Sequence, residues 1–418
     1  MPVDSRQRAR LERNITAFYA FRLLIGLQFL MPIWVIYLTE KRGFSIEQVT
    51  LLDAPFWLAL VLLEVPTGLI ADRFGRRISL LLGALTNTIG ITVFAMAANY
   101  PLILLSYLVW GAAFTFYSGA DAAFLFDTLK ALGRQAEYAR IFGRSMAFGA
   151  ATGIVATLSG PLMAARTDLV VPIYASAVST GLAFIVILGF MYEPPHSHAD
   201  EGHPGYVASV RLAFGAIWKS PELRSFVPLV AASIAAMSAV FIFGQPYLRG
   251  HGVATGDVGW FLVFSQVGAV VASLVAHRIA RGLGWRVAFT LLPISAIFVL
   301  GGLAGADTLW AFPLIPAGAM VQALYMPMAS DYVNQRVDSA HRATVLSFQS
   351  LVTSLILAPL ELTLGVFAHR QGLPFAFGVG AGFVLVIAVP LLLFWLRTGP
   401  PGRSFGRPGV VPEAAPAP

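Results

Sequence analysis

The sequence predicts an all-α integral membrane protein of twelve transmembrane helices in two pseudo-symmetric six-helix bundles. Apolar stretches of about 20 residues recur along the chain, and one such helix spans about 30 Å of hydrocarbon. Charged residues fall in short runs between these stretches, and basic residues are concentrated on one of the two sides. Of the 418 residues, 57% are hydrophobic and 12% are charged, whereas soluble domains carry about 25% charged residues. The chain therefore has too little polar surface for a soluble fold.

Composition also excludes several classes of function. The chain contains no cysteine, which rules out disulfides, thiolate metal sites and cysteine nucleophiles. Its formal net charge is +7, but the basic residues form no continuous face, so we predict no nucleic-acid partner. Phosphate-binding glycine loops, metal-ligand spacings and nucleophile motifs are absent from the sequence. We predict no catalytic residue, metal or cofactor, and therefore no enzyme.

The first predicted helix follows a short basic segment, residues 1–14. The apolar run from Ile15 to Leu38 spans 24 residues and has no small-residue cleavage site at its end. A secretory signal peptide has a shorter apolar core that ends in such a site. We therefore interpret this run as an uncleaved first transmembrane helix.

The other apolar stretches bring the count to twelve. The predicted spans are 15–38, 49–71, 78–97, 101–126, 143–164, 170–191, 225–248, 257–280, 286–303, 308–330, 343–367 and 373–396. An alternative count of eleven follows if the glycine-rich ninth stretch is only buried. Residues 192–224 are predicted to link a bundle at 15–191 to a bundle at 225–397. The proline-rich and glycine-rich residues 398–418 are predicted to be a disordered tail.

Basic residues predict the orientation, because they are enriched in cytoplasmic loops. An even number of helices places both termini on one side. That side carries 22 Lys and Arg residues, against five on the other side and one inside the membrane. Both termini are therefore predicted to be cytoplasmic. Removing one helix would scramble this partition, which supports twelve.

The most specific motif lies between helices 2 and 3, where the chain reads Gly-Leu-Ile-Ala-Asp-Arg-Phe-Gly-Arg-Arg-Ile-Ser-Leu from Gly68 to Leu80. Gly68 would permit close helix approach and Gly75 a tight turn. The three arginines, Arg73, Arg76 and Arg77, would bind anionic headgroups. An ordinary basic loop is the alternative interpretation.

This segment resembles the signature loop of the major facilitator superfamily, with Ile70 as its one substitution. The resemblance implies secondary transport by alternating access, in the inner membrane of a bacterium. It also implies a latch that closes the cytoplasmic side of the outward-open state. In that latch Asp72 would lie near the start of helix 11, and Arg76 would pair with Asp127. Similarity to drug/proton antiporters is partial, because Tyr107 stands where they often carry an arginine.

Three ionisable residues of the first half are predicted to lie inside the membrane at similar depth: Arg22, Glu64 and Asp121. Burying such a group costs about 2.5 to 3.5 kcal/mol, so each needs a partner or a purpose. They could form one cluster, with Arg22 and Asp121 as the favoured pair, because the resemblance places helices 1 and 4 at a central cavity. Glu64 would then lack a full partner and could exchange protons. A static pin between helices is the alternative.

Glu361 is the second candidate for proton coupling. It lies within helix 11, and no basic residue inside that half neutralises it. A permanently protonated glutamate is the alternative interpretation. Asp53, near the outer end of helix 2, is expected to face the extracellular mouth.

Several polar and aromatic residues are candidates for a cavity lining that accepts amphipathic ligands, although most aromatic residues of such a chain pack or anchor at the interface. The candidates are Gln28, Trp34, Tyr117, Gln245, Gln322 and Tyr325.

Three functions are compatible with the sequence. The leading hypothesis is proton-coupled export of a small hydrophobic or amphipathic molecule, with the proton as coupling ion and the lipid bilayer as surroundings. The second is an uptake permease for a polar nutrient or organic anion, in which Arg22 would bind the substrate charge. The third is a membrane receptor or scaffold that transports nothing. The sequence does not fix the oligomeric state, and a monomer suffices for each hypothesis.

Overall fold

The computed structural model describes residues 4–195, 214–215, 217–337 and 342–398, and the described residues form helices joined by short turns without any β-strand. The rest of the predicted linker and the predicted tail after residue 398 lie outside the described residues. The helices are α1 (Ser5–Gly26, continuing as Trp34–Ile36 and the π-turn Tyr37–Lys41), α2 (Ile46–Phe74), α3 (Arg76–Met96), α4 (Tyr100–Tyr117 and Ala120–Ala131), α5 (Tyr138–Arg166), α6 (Val171–Phe190), α7 (Pro221–Gly250), α8 (258–283), α9 (285–305), α10 (Leu314–Asn334), α11 (Arg342–Gln371) and α12 (Leu373–Phe383, the π-turn Val384–Ala388 and Val389–Thr398).

Ten stretches of the described chain are long and apolar enough to cross a membrane. One of them, Thr255–Gly305, contains both α8 and α9. The chain reverses at Gly284 (φ 71°, ψ 160°), and the two ends of the stretch meet where His251 Nε2 lies 3.2 Å from Asp307 Oδ1. The polar first turns of α1 keep that helix outside the ten. When α8 and α9 are counted separately and α1 is added, the described chain has twelve crossing segments, as predicted.

The two ends of the helix bundle contain different parts of the chain. One end, which we call the terminal side, contains both ends of the described chain and the turns at Gly75 and Gly284. The other end, the opposite side, contains the turns at Gly43, Gly252 and Gly372. These two names describe the structure without reference to a membrane.

Helix α1 is interrupted within the predicted span 15–38. Residues 27–33 leave the helix, because Pro32 has no N–H to continue the hydrogen-bond ladder. Side chains of other helices bind the freed backbone groups. Leu30 N–H donates to Ser176 Oγ at 3.0 Å and Val35 N–H to Gln245 Oε1 at 3.1 Å, while Gln245 Nε2 donates to Met31 O at 2.8 Å.

Most helix contacts lie within the first six helices or within the last six. Three pairs make most of the contacts between these halves: α2 with α11, α5 with α8, and the outer part of α1 with α7. The fold is therefore two six-helix bundles that meet along three seams, while the exact bundle boundaries remain predictions.

Candidate functional site

The two halves are closed against each other on the opposite side. Gly365 of α11 packs directly on the Thr50 side chain of α2, and Gly259 of α8 packs on the backbone of Thr157 of α5. Gln266 Nε2 donates to Thr157 Oγ1 at 2.6 Å. A Cβ at either glycine would overlap its neighbour, so glycine is what permits these close approaches.

Ion pairs reinforce the rim of this closed side. Arg249 of α7 binds both carboxylate oxygens of Glu40 at 2.7 and 3.0 Å, which joins the halves. Within the first half, Lys41 Nζ lies 2.6 Å from Asp168 Oδ2. The hydrogen bond from Lys41, with one from the Val170 N–H, lowers the pKa of Asp168. These exposed contacts contribute little to stability singly, and of the two pairs the one between Arg249 and Glu40 crosses from one half to the other.

The seams separate toward the terminal side. Met146 of α5 and Leu274 of α8 are exposed there, and Leu274 retains 76% of its accessible surface. A Cβ at Gly68 of α2 would meet no described atom within 4 Å. The protein is therefore closed on the opposite side and spread apart on the terminal side.

A cavity of about 540 Å³ lies between the halves, bounded by α1, α2, α4, α7, α10 and α11. Aromatic rings and two carboxyl groups dominate its wall, and no basic residue is found among the described residues that line it. The aromatic side chains are Trp34, Phe56, Trp57, Tyr107, Trp110, Phe114 and Phe241. The acids are Asp53 and Glu361. We call this space the main cavity.

Glu361 ties three helices together at the wall of the main cavity. Its side chain is buried, with 2% of its surface exposed. Oε2 accepts a hydrogen bond from Trp57 Nε1 of α2, and Oε1 accepts one from Ser238 Oγ of α7, each at 3.0 Å. The acid that the sequence leaves uncompensated is thus held by neutral donors at the interface of the two halves.

Asp53 also lines the main cavity, so the expectation that it faces the extracellular mouth is wrong. The contact of Thr50 with Gly365 closes the structure outside it, and Asp53 is 7% exposed. Four buried polar atoms of the lining have no hydrogen-bond partner among the described residues: Trp34 Nε1, Asp53 Oδ2, Tyr107 OH and Gln349 Oε1. An unpaired buried polar group costs about 1 to 3 kcal/mol. These atoms are therefore available to bind a ligand.

The three charges predicted to form one cluster are divided. Arg22 Nη1 and Asp121 Oδ2 lie 3.0 Å apart in the favoured ion pair, which joins α1 to α4. Arg22 also contacts the Met146 sulfur. Glu64 is exposed instead. It lies on the α2 face that carries Asp53 and Trp57, because spacings of 4 and 11 residues fall on one helical face.

We expect Asp121→Asn to lower the apparent unfolding temperature of the purified protein, measured by intrinsic fluorescence in detergent. The substitution leaves the Arg22 guanidinium, which is 13% exposed, without its counter-ion, and breaking such a pair costs roughly 3 kcal/mol. The double variant Arg22→Gln/Asp121→Asn should regain most of the loss. A double variant no more stable than Asp121→Asn would show that the pair contributes packing rather than charge compensation.

The candidate lining residues fall into two groups. Trp34 and Gln322 line the main cavity, and Gln245 and Gln322 line a second cavity of about 230 Å³. Tyr117, Tyr325 and Gln28 lie outside both linings. Tyr117 packs on Phe21 with ring centroids 5.6 Å apart, Tyr325 OH donates to Ala288 O at 2.8 Å, and Gln28 Nε2 donates to Ile25 O at 3.1 Å.

Sequence reasoning missed Trp57, Ser238 and Gln349. Their helices are apolar on most faces, so hydrophobic periodicity does not indicate which face borders the cavity. The available signal was the spacing of four residues between Asp53 and Trp57, which places the acid and the indole on one face.

The signature loop makes a tight turn, as its second glycine predicts. Gly75 has φ 100°, and a Cβ there would overlap the Glu193 carboxylate. The two oxygens of Glu193 accept hydrogen bonds from the N–H groups of Arg76 and Arg77, each at 2.8 Å. Arg77 Nη2 donates to Leu188 O at 2.8 Å. The loop is therefore fastened to the end of α6, an attachment that sequence reasoning did not anticipate.

In this conformation Arg76 pairs with Asp72 at 2.7 Å. Asp127 is half-buried and makes no ion pair among the described residues. The guanidinium of Arg73 lies 5.5 Å from the centre of the Phe74 ring. The latch roles of Gly68, Asp72, Arg73, Arg76 and Asp127 stay predictions for the state that is closed on the terminal side.

Comparison with known families decides the identity of the fold. The family model described as Major Facilitator Superfamily matches residues 16–360. The chain belongs to the major facilitator superfamily. As a member of the superfamily it is a secondary transporter and not an enzyme.

Relatives within the superfamily have different names. The chain is 22% identical over 390 residues to the uncharacterized MFS-type transporter YxaM of Bacillus subtilis (strain 168), covering 91% of this chain and 95% of YxaM. It is 26% identical over 314 residues to the class G tetracycline resistance protein of Vibrio anguillarum, covering 71% and 75%. It is 25% identical over 310 residues to the riboflavin transporter RfnT of Brucella anthropi, covering 69% and 75%.

A solved structure of the superfamily shows the same architecture. The crystal structure of the D323A mutant of the nucleoside transporter NupG superposes with a TM-score of 0.76 at 15% identity. The alignment covers 92% of this chain and 99% of NupG. At this identity the likeness establishes the twelve-helix superfamily fold.

Proposed function

We propose that the protein exports lipophilic cations in exchange for protons, with Glu361 and Asp53 as the carboxyl groups that proton and substrate share. The observation that carries this proposal is a main cavity walled by aromatic rings and two acids, with no basic residue among the described residues of its lining. Aromatic faces attract cations by about 0.5 to 2 kcal/mol each, more when water is excluded. A carboxylate supplies the compensating charge that a buried cation needs.

A buried carboxylate can be neutralised either by a proton or by a cation, and this choice leads to exchange of one for the other. Without substrate, a proton neutralises Glu361 in the apolar cavity. When a cation enters, the Glu361 O–H bond breaks, the proton leaves to water through the open side, and the carboxylate pairs with the cation. Either state holds one positive partner for that carboxylate, so the halves can rock without carrying an uncompensated charge through the bilayer. In the structure Ser238 and Trp57 hold the carboxyl group in place.

Direction rests on the orientation of the chain. We propose that the terminal side is cytoplasmic, because that side carries 22 basic residues against five on the other. The conformation described is then inward-open, and substrate enters the main cavity from the cytoplasm or the inner leaflet of a bacterial inner membrane. The tetracycline resistance protein among the relatives supports export. A monomer holds the whole cavity.

Placement of Arg22 weighs against an anion permease. That hypothesis required Arg22 to bind the substrate charge, but the guanidinium is paired with Asp121 inside the first half and is not among the residues that line the main cavity. An anion entering this cavity would meet two acids.

The proposal is tested in proteoliposomes that enclose a pH-sensitive dye and contain the purified protein. Tetraphenylphosphonium, neutral sugars and organic anions are added separately, and internal pH is followed. We expect tetraphenylphosphonium alone to drive saturable, protein-dependent proton movement. A pH response to a sugar or an anion without a response to tetraphenylphosphonium would contradict export of cations. Failure of every compound to move protons would contradict proton exchange for all three classes of compound.

A further inference from the structure

The second cavity adjoins the main cavity and differs from it in chemistry. It lies between α1, α5, α7, α8 and α10, and three residues line both spaces: Met31, Phe241 and Gln322. Its volume of about 230 Å³ is several times the roughly 30 Å³ that one water occupies in the liquid. A small arm of a ligand in the main cavity could therefore reach it past these three side chains.

The described residues that line the second cavity include amides and hydroxyls but no charged side chain. Gln245 uses both ends of its amide to bind the break in α1. Gln266 donates to Thr157, and Gln322 Nε2 donates to Ile234 O at 3.3 Å. In both of these residues the side-chain N–H group is engaged, while the described contacts give the carbonyl oxygen no donor.

Ser265 supplies an additional polar group. Its buried Oγ has no hydrogen-bond partner among the described residues, although serine in a helix usually donates to the preceding turn. The cavity therefore offers two acceptor oxygens and one free hydroxyl inside a largely apolar wall. Such a set matches a neutral donor group, a primary amide or an alcohol, and it offers no charge to stabilise an ion.

We propose that the second cavity is a neutral hydrogen-bonding subsite, which takes the amide or hydroxyl arm of a substrate whose cationic part occupies the main cavity. This inference rests on the proposed function and deepens it. It assigns selectivity among lipophilic cations to Ser265 and Gln266, two residues of α8 outside the main cavity. Cations with such an arm bind more tightly than cations of the same size without one.

A matched pair of probes tests the subsite. (4-Amino-4-oxobutyl)triphenylphosphonium carries a primary amide, and (4-methylpentyl)triphenylphosphonium replaces that amide by an isosteric branched alkyl end. Binding to the purified protein is followed by quenching of tryptophan fluorescence, since Trp34, Trp57 and Trp110 line the main cavity. Each hydrogen bond gained is worth about two- to tenfold in affinity.

We expect wild type to prefer the amide probe by about two- to tenfold, and Ser265→Ala and Gln266→Leu each to reduce that preference. Using the ratio of the two affinities removes any effect of a substitution on the protein as a whole. Equal affinities in wild type, or an unchanged ratio in both variants, would overturn the subsite. If neither phosphonium binds, the proposed function itself fails, which is a different result.

Labelling of single cysteines locates the arm directly, because the chain has no cysteine of its own. Ala319→Cys reports on the second cavity and Thr353→Cys on the main cavity. The amide probe should slow the reaction of N-ethylmaleimide with both cysteines several-fold, whereas tetraphenylphosphonium should protect Thr353→Cys alone. Protection of Thr353→Cys but not of Ala319→Cys by the amide probe would place its arm elsewhere.

Discussion

Replacing Glu361 by glutamine is expected to reduce proton movement driven by lipophilic cations at least about 100-fold. Glutamine keeps the size of the side chain but can neither release a proton nor neutralise a cation. Removing one partner of a buried charge pair costs about 3 to 5 kcal/mol, which corresponds to at least about 100-fold in affinity. The amide can keep both contacts, because its oxygen can accept from Trp57 Nε1 and its N–H group can donate to Ser238 Oγ. The expected loss is therefore one of charge and of the exchangeable proton.

The measurement is internal pH in proteoliposomes after addition of tetraphenylphosphonium, with apparent unfolding temperatures as a check on the fold. Glu64→Gln is the matched comparison, because Glu64 lies on the same α2 face as Asp53 but is exposed at the open end. We expect that variant to retain most of the coupled transport. Full activity in Glu361→Gln together with loss in Glu64→Gln would move the proton carrier to α2.

Gly365→Ala is expected to shift the protein toward the state that is open on the opposite side. The added Cβ would overlap the Thr50 side chain, where α2 and α11 meet. Overpacking of a tight contact costs about 1 to 3 kcal/mol, which changes the ratio of the two states by about 5- to 150-fold. Transport should fall accordingly, because the cycle needs both states.

Accessibility of Thr353→Cys to a membrane-impermeant maleimide reports this shift. We expect labelling from the opposite side to rise in Gly365→Ala, and labelling from the terminal side to fall. Gly382→Ala is the control, since a Cβ at this α12 glycine would meet no described atom within 4 Å. Shortening the facing side chain in Gly365→Ala/Thr50→Ala should restore part of the wild-type pattern. Identical labelling in Gly365→Ala and wild type would contradict a gating role for this contact.

The helix count could be predicted because it depends on local properties of the chain. The length of each apolar stretch and the position of the basic residues between stretches can both be read from consecutive residues. Together they separated α8 from α9 despite the very short turn at Gly284. Glu361 could be recognised as a candidate for a similar reason. It is an acid inside an apolar stretch, and no basic residue was predicted inside the membrane in that half to neutralise it.

Other parts of the site depend on contacts between distant residues. The position of Asp53 is set by the closure of α2 on α11, which no local pattern records. The break in α1 also depends on a contact with a distant residue. Pro32 indicates a weak point, but the extent of the interruption depends on Gln245, a residue of the other half that binds both Met31 and Val35. The division of Arg22 and Asp121 from Glu64 likewise reflects helix rotation, which depth in the membrane does not determine.

The bridge from Gln245 to the break in α1 has a consequence for hydration. Met31 O and Val35 N–H belong to one half of the protein, whereas the amide that binds them belongs to the other. When the halves part on the opposite side, both backbone groups lose this partner in the same step. Unpaired backbone groups at membrane depth are tolerated only where water reaches them. Water must therefore reach these backbone groups as the opposite side opens, so solvent entry is part of the opening step itself.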